Sequence, residues 1–343
     1  MIDLHYDLLT YIYLNVKRGN MRFIKDYCEK IFDNNINGGI LNLYFMSKKD
    51  MKKELGINEN ELNVINMLKV VVTAINEYDL LPNRERFLFG IEGCDYLKSP
   101  EDLIELYNLG VRSIAPVWNE VNKYGSGING KDNMGLTASG EDLITKAVKL
   151  GIMIDLSHTN NETFWDIIEL IDKLTLAGYN PFVFASHSNC RNVEQELIGK
   201  ADIKNIEKTL FYKRNLDDVQ LLAIKKRNGL VGLVAHKTLS KLTLDVSQVM
   251  AKNNDIFYIK ALEKQFLYLK DLFGSVDNIG VATDDLSLLV EYNCFYHINA
   301  NHFSLDKVSN NIKNLLKNIG YSDDDIKKVL HVNYEEKILS RMN

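Results

Sequence analysis

About eight short apolar runs recur along this chain, and most are followed by a segment of helical periodicity. The runs are Met1–Asp7, Ile40–Phe45, Arg86–Ile91, Val111–Val117, Ile152–Leu156, Phe182–Ala185, Leu230–Ala235 and Ile279–Ala282. Their lengths and bulky residues read as strands. Helices read over Asn20–Phe32, Asn58–Tyr78 with Asn58 or Asn60 as its cap, Ser139–Leu150, Thr159–Leu174, Asp217–Arg227 and Ile256–Phe273. A short helix opens at Ser99-Pro100 and closes at Gly110, and a C-terminal helical segment starts at about 303. Continuous apolar runs suit parallel strands buried on both faces. The alternation predicts a (β/α)₈ barrel of the TIM type, a single catalytic domain over residues 1–343. A doubly wound open sheet is the competing architecture, and strand count alone does not separate the two.

The net charge of -5 leaves no excess of basic residues for a nucleic-acid face. Cys28, Cys94, Cys190 and Cys294 are far apart and read as free thiols of a reducing compartment. The first residues lack a basic n-region, and His5 and Asp7 interrupt any signal-like apolar core. The longest apolar runs, such as Val70–Ile75, fall far short of the ~18 residues that cross a bilayer. A cytoplasmic protein without a membrane segment is expected.

Strand after strand ends in a residue type that binds metal. His5 and Asp7 end the first, Glu92 the third, His158 the fifth, His187 the sixth and Asp284 the eighth. In a barrel these ends meet on the face where active sites of this fold are built. Each residue has a plainer reading as a helix cap, a turn or a satisfied buried polar group. The pattern of strand ends is harder to dismiss than its members. Six candidates exceed the three protein ligands typical of one catalytic zinc. They suit two metals, with Glu92 as the natural bridge because its strand lies between the others. Such a pair predicts metal-assisted hydrolysis. His236 also follows a strand and reads as a residue on the substrate side; His297, His302 and His331 read as surface or structural.

These residues resemble the membrane (renal) dipeptidases, peptidase family M19. The resemblance rests on His5-x-Asp7, Gly90-Ile91-Glu92-Gly93, Leu109-Gly110-Val111-Arg112, Gly135-Leu136-Thr137, Asp155-Leu156-Ser157-His158, Ala185-Ser186-His187-Ser188-Asn189 and Arg214-Asn215-Leu216, in that order. It implies two Zn²⁺ per chain. His5 and Asp7 would hold one with Asp284 nearby, Glu92 would bridge, and His158 and His187 would hold the second. It implies cleavage of a dipeptide by a metal-bridging hydroxide, with Asp284 shuttling the proton and a D-residue often tolerated at the C-terminal position. Arg214 would bind the terminal carboxylate of the peptide in preference to Arg191, and a homodimer is expected.

The chain also departs from the family. Trp118 stands where the family has a substrate-side histidine, and an indole donates one hydrogen bond but carries no charge. Asp284-Asp285-Leu286-Ser287 replaces Asp-Phe-Asp-Gly, an insertion spans about 190–213, and His331-Val332-Asn333 keeps only the Asn of Gly-Gly-Asn. The competing readings are a related amidohydrolase acting on N-acyl amino acids or other small amides, and a metal-retaining binding protein without turnover.

Overall fold

The computed structural model describes residues 1–32, 35–45, 51–53, 56–130, 133–193, 210–235, 254–284 and 308–342. Most of the expected 190–213 insertion lies outside the described residues, as do His236, Asp285, Cys294, His297, His302 and the first residues of the C-terminal segment near 303.

The strands are β1 (Asp3–Tyr6), β2 (Gly39–Tyr44), β3 (Phe87–Glu92), β4 (Val111–Ala115), β5 (Met153–Asp155), β6 (Val183–Phe184), β7 (Val231–Val234) and β8 (Ile279–Ala282). β1 to β6 lie side by side in consecutive order, all parallel, and β7 pairs parallel with β8. Two thin seams join these sheets. At one, Ala185 bridges Val231, and the Gly232 N–H donates to Ala185 O at 2.8 Å. At the other, the Asp284 N–H donates to His5 O at 3.1 Å. The strand order never reverses, as it would at the switch point of a doubly wound sheet. The architecture is an eight-strand barrel of the TIM type.

The β8–β1 seam is held mainly by one carboxylate. Buried Asp3 accepts the His5 N–H at 3.1 Å and the Thr283 N–H at 2.9 Å on Oδ1, and the Thr283 hydroxyl at 2.5 Å on Oδ2. Asp155 repeats this device between β5 and β6. It takes the Ser157 and Ser186 N–H groups on Oδ1 at 3.0 and 2.9 Å, and the Ser186 hydroxyl on Oδ2 at 2.5 Å. Where a strand pair has few ladder bonds, a side-chain acceptor takes over the unpaired amides.

The barrel interior is filled by Ile2, Leu4, Ile40, Leu88, Met153, Phe182, Phe184, Leu230 and Ala282. Leu4 fits because Gly280 faces it: a Cβ there would lie 2.4 Å from Leu4 Cδ1. Tyr334 plugs the far end, its hydroxyl donating to Gly39 O and Arg86 O at 3.1 Å. The neighbouring Asn333 amide donates to Val276 O and Ile279 O, which fixes the start of β8 and gives this family-pattern residue a structural role.

β1 is not a regular strand. Between paired positions it advances from Asp3 to Tyr6 while β2 advances only from Gly39 to Leu41. The extra residue is a β-bulge, which re-aims side chains. Strict alternation with Ile2 and Leu4 inside would turn His5 outward. The bulge instead lets His5 face the barrel mouth while Tyr6 joins the outer core. Asp7 lies beyond the strand, at the start of helix α1 (Leu8–Arg18).

Among the described residues the further α-helices are α2 (Met21–Phe32), α3 (Val64–Tyr78), α4 (Asp102–Asn108), α5 (Ala138–Leu150), α6 (Asn161–Leu176), α7 (Leu210–Arg214), α8 (Asp218–Lys226), α9 (Asn254–Phe273), α10 (Val308–Asn318), α11 (Asp323–Lys327) and α12 (Asn333–Lys337). Two expectations need correction. No helix was expected over Leu8–Arg18, and the cap of α3 is neither Asn58 nor Asn60. A short 3₁₀ turn covers Glu59–Glu61, and the Asn63 side chain accepts the Asn66 N–H to start α3. Among the described residues no helix is long and apolar enough to cross a membrane.

The Asp3 seam makes a testable claim. Asp3→Ala leaves buried donors without an acceptor and is expected to cost about 2–4 kcal/mol in denaturant unfolding. Asp3→Asn keeps the shared oxygen and should lose much less. Burial pushes the Asp3 carboxyl up to about 6. Its contribution is therefore present below the unfolded value of about 4 and is lost as pH rises through about 6. The wild type should lose ground to Asp3→Asn across that window, and equal losses in both variants would contradict the clamp.

Candidate metal centre

Glu92 ends β3 at the barrel mouth and is buried. Its two oxygens face different partners. Oε1 lies 2.7 Å from His158 Nε2 and 3.4 Å from His187 Nε2, and Oε2 lies 3.3 Å from His5 Nε2. His5 Nε2 in turn stands 3.4 Å from Asp7 Oδ1 and 4.0 Å from Asp284 Oδ1. Two groups of potential ligand atoms result, His5–Asp7–Glu92 and Glu92–His158–His187, with Glu92 common to both. Asp284 lies beside the first group and outside both. Its side chain is 15% exposed, where Glu92 is 3% and His5 0%, so it sits on the open side.

The hydrogen-bonding of the imidazoles decides what this cluster can hold. His158 Nδ1 lies 2.8 Å from Asn119 Oδ1, an acceptor, so Nδ1 carries the proton and Nε2 is bare. His187 Nδ1 lies 2.6 Å from Ser186 Oγ, whose own proton goes to Asp155 Oδ2, so Nδ1 carries the proton here too. Bare Nε2 lone pairs on these two rings then face each other at 3.0 Å, with Glu92 Oε1 against both. Three acceptors converge with nothing to share, which is unfavourable unless a positive charge lies among them. On the other side, His5 Nε2 and Asp7 Oδ1 are buried without a hydrogen-bond partner among the described residues. Imidazole nitrogen with carboxylate oxygen is a donor set that suits zinc and similar divalent ions. The residues fit such ions.

Charge states point the same way. Burial, reinforced by His5 and Arg214, holds His187 well below the ordinary histidine range. Burial and Arg214 also lower His158. Both rings are therefore neutral and available as ligands near neutral pH. Burial disfavours the Glu92 anion, yet His5 and His158 pull its pKa well below the carboxylate range. Burial and the Glu92 charge push Asp7 up to about 8.

Two of these residues occupy strained backbone. His158 has φ of 69° and Asp284 φ of 46°, in the left-handed region that side chains rarely adopt. Such conformations cost on the order of 1–3 kcal/mol each and gather at functional sites. The Asn160 side chain helps offset the first by capping α6 immediately afterwards, accepting the Thr163 N–H.

Arg214 is buried at the end of α7. One guanidinium nitrogen donates to Ser188 Oγ at 3.0 Å, while Nη2 is buried without a hydrogen-bond partner among the described residues. Arg191 is engaged instead, donating to Tyr212 O, Asn215 O and Asp217. Trp118 is half-buried, tilted against the His158 ring at 6.0 Å and edge-on to Tyr44 at 5.5 Å between ring centres. The structure thus gathers His5, Asp7, Glu92, His158 and His187 within contact distance, with Asp284, Arg214 and Trp118 around them. The sequence reading missed Asn119 and Ser186, which hold the ligand rings. Their only signal was position beside Trp118 and His187, and small polar residues after strands are too common to single out.

A family model for membrane dipeptidase (peptidase family M19) matches residues 1–335. The chain is similar to an uncharacterized protein of Acinetobacter calcoaceticus, 33% identical over 42% of this chain, and to one of Klebsiella pneumoniae, 37% identical over 38%. The matched stretches span 40% and 42% of those relatives' own lengths. An uncharacterized dipeptidase of Schizosaccharomyces pombe is 29% identical over 45% of this chain and 33% of its own. Among solved structures, a metallopeptidase of Rhodobacter sphaeroides, liganded with a phosphinate mimic of the dipeptide L-Ala-D-Ala, superposes with a TM-score of 0.69 at 18% identity. It covers 99% of this chain and 98% of its own. At that identity the likeness shows the fold.

Metal loading should be coupled to protons. Below about pH 8 the metal-free Asp7 keeps its proton, and a cation in its place requires the carboxylate. Binding should therefore release a proton at neutral pH, and affinity should fall as pH falls. Calorimetry in buffers of different ionisation heat measures this; proton-neutral uptake would contradict the assignment of Asp7.

Proposed function

The chain belongs to the membrane dipeptidase family, peptidase family M19, and on that premise we propose that it is a dinuclear zinc dipeptidase. The observation that carries the reading is Arg214. A buried guanidinium with an unpaired Nη2, close enough to the ligand rings to lower their basicity, forms no ion pair with a carboxylate among the described residues, although Asp284, Glu92 and Asp155 act on it at longer range. A substrate carboxylate is a fitting partner, and the planar fork of arginine suits bidentate capture.

Two divalent ions, with His5, Asp7 and Glu92 holding one and Glu92, His158 and His187 the other, would supply carbonyl polarisation and an acidified water. The chain's own groups do the rest. Arg214 fixes the terminal carboxylate and thereby sets the distance from that end to the scissile bond. Only a short substrate satisfies both ends, which favours dipeptides over longer peptides. Asp284 Oδ1 accepts a proton from the attacking water and returns it to the leaving amine; its place on the open side of the cluster suits that exchange. Trp118 lines the substrate side and excludes water. Acceptance of a D-residue at the C-terminal position is supported by the ligand of the Rhodobacter sphaeroides relative. A cytoplasmic location is supported by Cys28 and Cys94, which are buried free thiols. Assembly as a homodimer rests on the family resemblance.

Arg214→Ala is expected to raise KM for dipeptides by about 10²-fold or more, the loss of a charge-assisted pair, with metal content unchanged. An unchanged KM would reassign the carboxylate site. A panel of L-L and L-D dipeptides set against N-acyl amino acids tests the substrate class. Hydrolysis confined to N-acyl amino acids would replace the dipeptidase reading, and binding without turnover of any of them would remove catalysis altogether.

A further inference from the structure

We propose that one hydroxyl, that of Ser186, orients the ligand imidazoles of both metal positions at once. The inference rests on the two-cation reading of the Glu92 cluster and goes beyond it to residues that are not ligands.

Ser186 is buried, and its Oγ has three close polar neighbours. Asp155 Oδ2 lies at 2.5 Å, His187 Nδ1 at 2.6 Å and His5 Nδ1 at 3.0 Å. Ser157 Oγ is more distant at 3.5 Å. A hydroxyl has one proton and two acceptor lone pairs. An ionised carboxylate can only accept, so the Ser186 proton goes to Asp155. The lone pairs are then left for the two ring N–H groups. Both imidazoles are thereby held with the proton on Nδ1 and with Nε2 bare and facing the Glu92 cluster. His5 belongs to one ligand group and His187 to the other, and their rings lie 3.6 Å apart by centroid, flanking the same hydroxyl.

The carboxylate is fixed as firmly as its task needs. Asp155 Oδ1 is occupied by the Ser157 and Ser186 N–H groups, which leaves only Oδ2 for the hydroxyl. His5, His187 and Asp155 also form a third group of closely spaced ligand-type atoms. A cation there would have to displace Ser186 Oγ from the centre of the group, so this cluster is a hydrogen-bond hub and holds no ion. Asn42 Nδ2 also lies 3.1 Å from His5 Nδ1 and 3.5 Å from Ile40 O, and its nitrogen and oxygen are exchanged by a flip of the amide. The proposal requires it to present its oxygen there, because an amide N–H aimed at Nδ1 demands the opposite tautomer.

The test is zinc affinity, read by chelator competition, together with ¹⁵N histidine NMR of the wild type. Outer partners of ligand histidines are worth about 10–100-fold in metal affinity. Ser186→Ala should weaken both steps of zinc uptake by such a factor, whereas Asn119→Ala, which touches only His158, should weaken one. Ser186→Thr, which keeps the hydroxyl, should restore both. Asp155→Asn keeps the Oδ1 contacts but replaces the hydroxyl's acceptor with a donor, and should weaken uptake without unfolding the chain. In the zinc-loaded wild type, His5 and His187 should both show the Nδ1–H tautomer; this readout needs no variant to fold. Loss confined to one step in Ser186→Ala, unchanged affinity, or an Nε2–H tautomer at either ring would overturn the proposal. A wild type that takes up no zinc overturns the two-cation reading instead, and the tautomer of the neutral His187 ring in the metal-free protein still decides whether Ser186 orients it.

Discussion

The structure turns on a buried carboxylate placed between three imidazoles. Glu92 presents one oxygen to His158 and His187 and the other to His5. Burying such a charge is costly unless it is paired. Here His158 and His187 are held neutral, while against the cost of burial Glu92 and Asp7 raise His5 well above the ordinary histidine range, and the Nε2 atoms of His158 and His187 face each other at 3.0 Å. This arrangement is frustrated as a set of side chains and satisfied as a ligand cage. The rest of the barrel mouth can be understood as machinery that keeps these groups aimed at one another.

Much of that machinery is carried by two aspartates that are not in the ligand groups around Glu92. Asp3 and Asp155 each accept a backbone N–H two residues along their own strand, and an N–H and a hydroxyl from the adjacent strand. The strand partners are Thr283 and Ser186, which directly precede Asp284 and His187. Each clamp therefore closes a sparse seam of the barrel and sets a candidate functional side chain with the same bonds. Fold and site are built from one set of contacts, so the strain stored at His158 and Asp284 can be held.

The sequence revealed the barrel and the identity of the strand-end residues, because parallel strands are continuous apolar runs and barrel strands end on one face. It revealed less where tertiary context overrides local pattern. α1 was illegible because it follows β1 after the single residue Asp7, whose side chain makes no cap bond, so no start signal separates the helix from the strand. The start of α3 was ambiguous because Asn58, Asn60 and Asn63 are all competent caps, and only the fold selects Asn63. His5 and Asp7 do converge, but through a bulge and a helix start and not through regular alternation along one strand. The Ser186 hub depends on residues far apart in the chain meeting at one oxygen, which no spacing rule encodes.

The central claim is that Glu92 is shared between two cations. Anomalous diffraction at the zinc edge from crystals of the loaded protein tests it most directly. The account predicts two peaks about 3.5–4 Å apart, one on each Glu92 oxygen, with the His158 and His187 Nε2 atoms on one and His5 and Asp7 on the other. A single peak, or a peak seated between Asp155 and the Nδ1 atoms in place of the Ser186 hydroxyl, would contradict it.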